Sequence, residues 1–227
     1  MKTHRTLHIL FSVLGLAVGL LILWTAGSLA VQAAAIDPFE VESLLYVREE
    51  EKLARDTYLT LYGEWGTDIF QTIAASEQNH MDAVKELLDK YELEDPALPE
   101  IGAFEDAFLQ EKYFELVAWG EQSPADALLV GCFIEEIDLI DLANRMAQID
   151  NRDILTVFQN LTDGSENHLR AFVASYERLT GNAYTPVYLD QNTYLQIING
   201  TSDSGGGEGG FGKGWNGGGN GGPQGKK

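Results

Sequence analysis

The sequence predicts an all-α fold built on four long helices. Three observations predict it. Apolar residues recur at three- and four-residue spacing between about Asp37 and Asn199, no alternating segment of useful length interrupts that period, and two short helix connections flank one long one. The first helix runs from about Val41 to Tyr62 and ends at Gly63. The second starts after Gly66 and Thr67 and continues to about Lys90. A linker from Tyr91 to Ser123 holds Pro96, Pro99 and a shorter helical piece, Phe104 to Trp119, stopped by Gly120. Ser123 and Pro124 open the third helix, because serine caps free N–H groups and proline suits the first helical position; it runs to about Ile149. Asn151 caps the fourth, which extends to Thr180, with Gly181 where a left-handed residue is expected. The short connections make two antiparallel hairpins, and the linker is the long crossover of an antiparallel four-helix bundle.

Both ends of the chain differ from this region. Lys2 and Arg5 precede an apolar stretch from Ile9 to Val31, followed by Ala33, Ala34 and Ala35. Residues 1–35 therefore read as a cleaved signal peptide or a retained N-terminal membrane anchor, and either places the bundle, residues 37–199, outside the cytoplasm: secreted, periplasmic or in the cell envelope. Residues 200–227 are glycine-rich with single aromatics such as Phe211 and Trp215, a composition that cannot bury enough apolar surface to fold and is expected to be disordered.

The 227 residues carry 35 acidic against 15 basic side chains, a formal charge of −20, which argues against nucleic-acid binding and favours cations as partners. Much of that charge serves a solvated surface, so inward-facing acids carry the information. Cys132 is the single cysteine; it excludes an intramolecular disulfide and reads as a small core hydrophobe.

On the second helix the inward stripe Phe70, Ile73, Glu77, His80, Val84 and Leu87 places a carboxylate and an imidazole among core positions. Unpaired ionisable groups cost several kcal/mol to bury, so such groups are paired, neutralised or metal-bound. Glu77 and His80 also form Glu-x-x-His, the i,i+3 spacing that aims two ligands at one ion. In the first helix, Leu44, Val47, Ala54, Tyr58 and Leu61 leave Glu51, or its neighbour Glu50, facing inward, while a solvated run explains Glu49–Glu51 as simply. Tyr58 follows Glu51 by two turns, where its hydroxyl can bond a site carboxylate or be an ordinary core tyrosine. In the third helix, Leu129, Cys132, Leu139 and Ala143 bracket Glu136, whereas the stripe through Leu128, Leu142 and Met146 selects Glu135. The fourth has Leu161, Ser165, His168 and Phe172 in one phase, so His168 faces inward. Carboxylate oxygens with two imidazoles suit iron or manganese better than structural zinc.

At these residues, Glu51 to Tyr58, Glu77-x-x-His80, Ile134-Glu135-Glu136 and Ser165 to Phe172, the chain resembles the ferritin-like family catalogued as domain of unknown function 2202. Within the wider superfamily it is similar to rubrerythrin and ferritin. The resemblance implies a ferritin-like bundle and a carboxylate-bridged di-iron centre with Glu51, Glu77, His80, Glu136 and His168 as ligands. The superfamily pattern would put a second bridging glutamate at position 165, where this chain has Ser165; Asp138 is the acid placed to supply the missing oxygen. By analogy, the expectation is an exported non-haem iron protein whose reduced metal pair reacts with peroxide or dioxygen, in ferroxidase- or peroxidase-like oxidation. Its reductant must come from elsewhere, since one cysteine cannot make an iron–thiolate centre. Two other readings stand beside it: a module that binds or sequesters metal without turnover, and a metal-free interaction bundle of the envelope. The oligomeric state stays open, a homodimer included.

Overall fold

A computed structural model describes residues 36–200, which form an all-helical unit with no strand among the described residues. The expected export segment, up to residue 35, and the glycine-rich tail from 201 onward lie outside the described residues. Six helices follow in order: α1 (Pro38–Trp65), α2 (Asp68–Lys90), α3 (Ala107–Gly120), α4 (Pro124–Met146), α5 (Arg152–Thr180) and α6 (Gln191–Ile198). Among the described residues no helix is long and apolar enough to cross a membrane.

Local chemistry sets the helix ends. Asp37 and Glu40 form a reciprocal capping box with Pro38 in the first turn. Gly63 does not end α1 as its glycine suggested. The helix runs one turn further because Trp65 Nε1 donates to the Gly120 carbonyl at 2.9 Å, and termination waits for Gly66, whose φ of 60° is open to glycine. Helix α4 stops at Met146, short of Ile149, where the turn offers the backbone N–H of Asn151 to Glu40 Oε1 at 2.9 Å. Ser123, Asn151 and Gly181 sit at the caps the sequence assigned them. Helix α6 was not anticipated; Asp190 caps it by accepting from the Asn192 and Thr193 N–H groups.

Helices α1 and α2 fold back on each other, as do α4 and α5, and the two hairpins pack together through α1 on α4 and α2 on α5. The crossover between α2 and α4 is tied to α1 by buried charge. Lys52, fully buried, pairs with Asp56 and donates to the Glu100 carbonyl at 2.8 Å, while Glu49 accepts the N–H groups of Glu105 and Asp106.

The apolar core is divided. One cluster surrounds Tyr58, Leu61, Phe70 and Phe172; the other surrounds Leu44, Val47, Val84, Leu142 and Phe158. Between them along each long helix lie the ionisable side chains.

The chain beyond α5 packs over the outer face of α4, where one carboxylate gathers its 184–189 turn, while Glu177 accepts the Tyr184 N–H at 3.0 Å and Arg170 donates to the Ile197 carbonyl at 2.7 Å. Glu136 accepts the Tyr184 hydroxyl at 2.5 Å and the N–H groups of Val187, Tyr188 and Leu189 at 3.0, 2.6 and 2.9 Å. Removing this acceptor leaves the buried Tyr184 hydroxyl and Leu189 N–H unmatched, at roughly 1–3 kcal/mol each, while water can reach the N–H of the exposed Val187. Glu136→Ala is expected to lower stability by about 3 kcal/mol, read by urea denaturation, and to expose the 182–190 segment to proteolysis before global unfolding. Wild-type resistance of that segment in the variant would show that its apolar packing and its contacts with Glu177 and Arg170 retain it without Glu136.

Candidate metal centre

Between the two apolar clusters, the four long helices bring Glu51 of α1, Glu77 and His80 of α2, Glu135 of α4 and His168 of α5 into two overlapping triads. Glu51, Glu77 and His80 offer ligand atoms within 4.8 Å of one another, and so do Glu77, Glu135 and His168. Glu77 belongs to both and divides its oxygens between the imidazoles: Oε2 lies 2.7 Å from His80 Nδ1, and Oε1 lies 2.8 Å from His168 Nδ1. The flanking glutamates complete the pattern, with Glu51 Oε2 3.1 Å from His80 Nδ1 and Glu135 Oε2 3.5 Å from His168 Nδ1.

Several of these contacts are close without being hydrogen bonds. Glu51 Oε1, Glu77 Oε1, Asp138 Oδ1 and His168 Nδ1 are all buried with no hydrogen-bond partner. Native proteins satisfy most buried polar atoms; here Glu77 Oε1 and His168 Nδ1 have only ion-pair contacts, with each other and from Nδ1 to Glu135, and Glu51 Oε1 and Asp138 Oδ1 have no donor, an arrangement that a cation among them would complete. The donor set, carboxylate oxygen and imidazole nitrogen without sulfur, fits iron or manganese.

Neighbours orient the imidazoles from behind. His168 Nε2 lies 3.0 Å from the Ser76 hydroxyl, which leaves Nδ1 aimed inward. The His80 ring lies over Gly164, where an added Cβ would fall 2.6 Å from Cε1. The two rings stack with centroids 5.4 Å apart. Each histidine is thus backed by the residue that precedes the opposite helix's site position, Ser76 before Glu77 and Gly164 before Ser165. Tyr58 donates to Glu135 Oε1 at 2.6 Å, and Ser165 and Asp138 share a short hydrogen bond.

The structure departs from the sequence reading at one carried-over position. Glu136 does not reach the cluster; it faces the 184–189 segment, and Glu135 occupies the inward position. Every residue from 130 to 140 is buried, so α4 has no solvent face to mark the inward phase. The Glu49–Glu51 run is not solvated either, since all three are at most 5% exposed and each points a different way: Glu49 to the crossover backbone, Glu50 toward Asp141, Glu51 to His80. Ser76 and Gly164 escaped the reading because neither is a ligand type, although both precede the recognised site position on their helices.

Burial and mutual repulsion govern the charges. Burial pushes Glu51 up, His80 partly offsets it, and the carboxyl settles at about 7. Burial also raises Glu135 and Asp138, helped by neighbouring carboxylates. Glu77 goes the other way, to about 2, because two imidazoles outweigh its burial. The carboxylates in turn overcome burial at the imidazoles, raising His80 to about 12 and His168 to about 10.

Residues 40–201 match the model of an uncharacterized protein domain, DUF2202. The chain belongs to the DUF2202 family. It is 48% identical over 167 residues to the uncharacterized protein MJ0754 of Methanocaldococcus jannaschii, a match covering 73% of this chain and 90% of that protein. The crystal structure of hypothetical protein MJ0754 from Methanococcus jannaschii superposes with a TM-score of 0.71 at 47% identity, over 75% of this chain and 96% of the other. The DUF2202 match runs from the first turn of α1 past the end of α6 and contains every residue of the cluster.

The charge pattern gives the metal-free DUF2202 domain a signed pH dependence. Glu51, His80 and His168 have folded values raised above their ordinary 4.5, 6.5 and 6.5. Each contributes stability that is full below the ordinary value and lost as pH rises through the folded one. Glu77, lowered, contributes above 4.5 and loses it as pH falls toward 2. In chelator, the urea midpoint is expected to fall as pH rises from about 4.5 to 9, with Glu51→Gln flattening the segment below about 7. A midpoint that climbs over that range would show that the cluster does not hold these protons.

Proposed function

We propose that this protein is an exported, ferritin-like four-helix-bundle protein whose buried cluster holds a pair of iron ions, manganese being the other candidate, and oxidises with peroxide or dioxygen. One observation carries this reading: two imidazole-containing triads share the two oxygens of Glu77, and Glu51 Oε1 and Asp138 Oδ1 are buried beside them with no hydrogen-bond partner. Glu51 and His80 would hold one ion, Glu135 and His168 the other, with Glu77 between them and Asp138 as the additional acid. Bound iron would supply the electrons that reduce peroxide or dioxygen, in ferroxidase- or peroxidase-like turnover.

The protein's own residues support that chemistry in identifiable ways. The cavity at the cluster amounts to about 10 Å³, room for a water-sized molecule and none for an organic substrate. This favours a small oxidant and inorganic ions. Tyr58, holding its proton against Glu135 Oε1, fixes that carboxylate, and its own ionisation is suppressed by burial. Apolar clusters on both sides exclude bulk water and strengthen electrostatic attraction for cations. The N-terminal apolar segment supports placement outside the cytoplasm, and the electron donor would be a separate protein or small reductant.

The test is metal content and optical spectra of the full chain purified with iron and manganese available. About two irons per chain, with a near-ultraviolet ferric absorption that reduction bleaches and peroxide restores, would support the redox reading. Two metals that peroxide leaves unchanged would favour sequestration without turnover, and near-zero metal would sink the metal reading altogether. Gly164→Ala supplies a second check. Helix propensity favours alanine by roughly 1 kcal/mol, while the methyl group pushes His80 off its carboxylates, so the fold should persist with metal reduced to about one per chain.

A further inference from the structure

Glu50 is not used by the two triads, yet it is 5% exposed, lines the same cavity as Glu51, Glu77, Glu135 and Asp138, and has no hydrogen-bond partner for either oxygen. It faces the Asp141 carboxylate across the seam between α1 and α4, and Asp138 adds a further negative charge. Two carboxylates are both acceptors, so they come together favourably when a proton or a cation lies between them. On α4, Glu135, Asp138 and Asp141 follow one another at three-residue steps, an acidic ladder climbing from the cluster to the half-buried rim. Asp138 forms its middle rung, with Oδ2 on Ser165 and Oδ1 buried and unpaired.

Among the described residues no lysine or arginine pairs with Glu135 or Asp138; the one cationic neighbour of the inner rungs is His168, 3.5 Å from Glu135. Arg145 stands at the mouth, where its charge reaches Glu50 and Asp141 while its guanidinium donates to Glu42 at 3.0 Å and to the Ser43 hydroxyl at 3.2 Å, and lies 4.3 Å from the Tyr46 ring centre. The seam therefore runs from the rim through paired carboxylates to the triads, while apolar clusters close the layer above and below. Paired carboxylates without an imidazole hold a divalent cation more loosely than the triads do, so such a cation passes inward.

We infer that Glu50 and Asp141, with Asp138 beneath them, form a transit site through which a divalent metal ion enters the buried centre. This rests on the metal reading above. A cation admitted at Asp141 exchanges its waters for the Glu50 and Asp141 oxygens, moves to Asp138 Oδ1, and is delivered beside Glu51 and Glu135. Arg145 at the mouth repels the incoming ion and sets its rate of admission.

The experiment mixes the metal-free full chain with Co²⁺ and follows the growth of its visible absorption, with metal content measured at the end. Glu50→Gln/Asp141→Asn, isosteric and free of the like-charge repulsion, should load at least tenfold more slowly and reach the same final stoichiometry as wild type. Arg145→Gln should load several-fold faster, which tests the route by a variant that keeps both acids. Loading of the double variant at the wild-type rate would overturn the route and leave the metal centre standing. A lower stoichiometry at unchanged rate would also overturn it, since the acids would then form a resident site. A wild-type chain that takes up no Co²⁺ would sink both the route and the centre.

Discussion

Everything else in this molecule is arranged around a band of acid that folding alone does not neutralise. Glu50, Glu51, Glu77, Glu135 and Asp138 are each at most 6% exposed, and they meet at the level where the apolar core is interrupted. Two imidazoles face them, and those partners already serve Glu77. Burying so many carboxylates with so few donors is unfavourable by several kcal/mol per unmatched group, so the rest of the fold must over-determine their position. It does so in two ways. The clusters above and below supply the burial, and a separate set of charges, Lys52 with Asp56 and Arg48 with Asp95, locks the crossover to the face of α1 that turns away from the centre.

Adjacent acids on the same helix thereby acquire unrelated tasks. Glu135 and Glu136 differ by about 100° around α4. One faces imidazole and the Tyr58 hydroxyl, the other a row of backbone N–H groups. The same division separates Glu49, Glu50 and Glu51. A helix buried on all sides makes this workable, because each direction offers a different partner, and it also ties the chain beyond α5 to the backbone turn that presents Glu135.

That arrangement explains what was legible in the sequence. Helix caps were readable because Ser123, Asn151 and Gly181 act through their own backbone and neighbours. The inward phase of α2 and α5 was readable because each keeps an exposed face, as with Glu86 opposite Val84 on α2. The phase of α4 was not, since residues packing against its outer side, from Tyr184 to Leu189, lie some fifty positions further along the chain and turn a surface stripe into interior. Gly63 misled for a similar reason: a tertiary contact through Trp65 outweighed a local preference of about 1 kcal/mol. Gly164 and Ser76 acquire meaning through the opposite hairpin, which a linear pattern does not contain.

The two halves of the centre are related but unequal, and the inequality follows a compensating rule. On α2 the site position is Glu77, and the residue three after Glu51 on α1 is the small Ala54. On α5 the equivalent site position is the small Ser165, and the residue three after Glu135 on α4 is Asp138. Each half thus combines one acid with one small side chain, exchanged between the helices of its hairpin. Ser165, bonded to Asp138 and to the Leu161 carbonyl at 3.0 Å, anchors the exchanged acid where it leaves one oxygen free toward the cavity. A glutamate at position 165 would bring a second large acid into the space that Asp138 and the Ser165 hydroxyl now share, and would repel it. The serine therefore does not subtract a carboxylate from the centre. It changes the helix from which that carboxylate arrives, and in doing so turns it toward the α1–α4 seam where Glu50 and Asp141 stand.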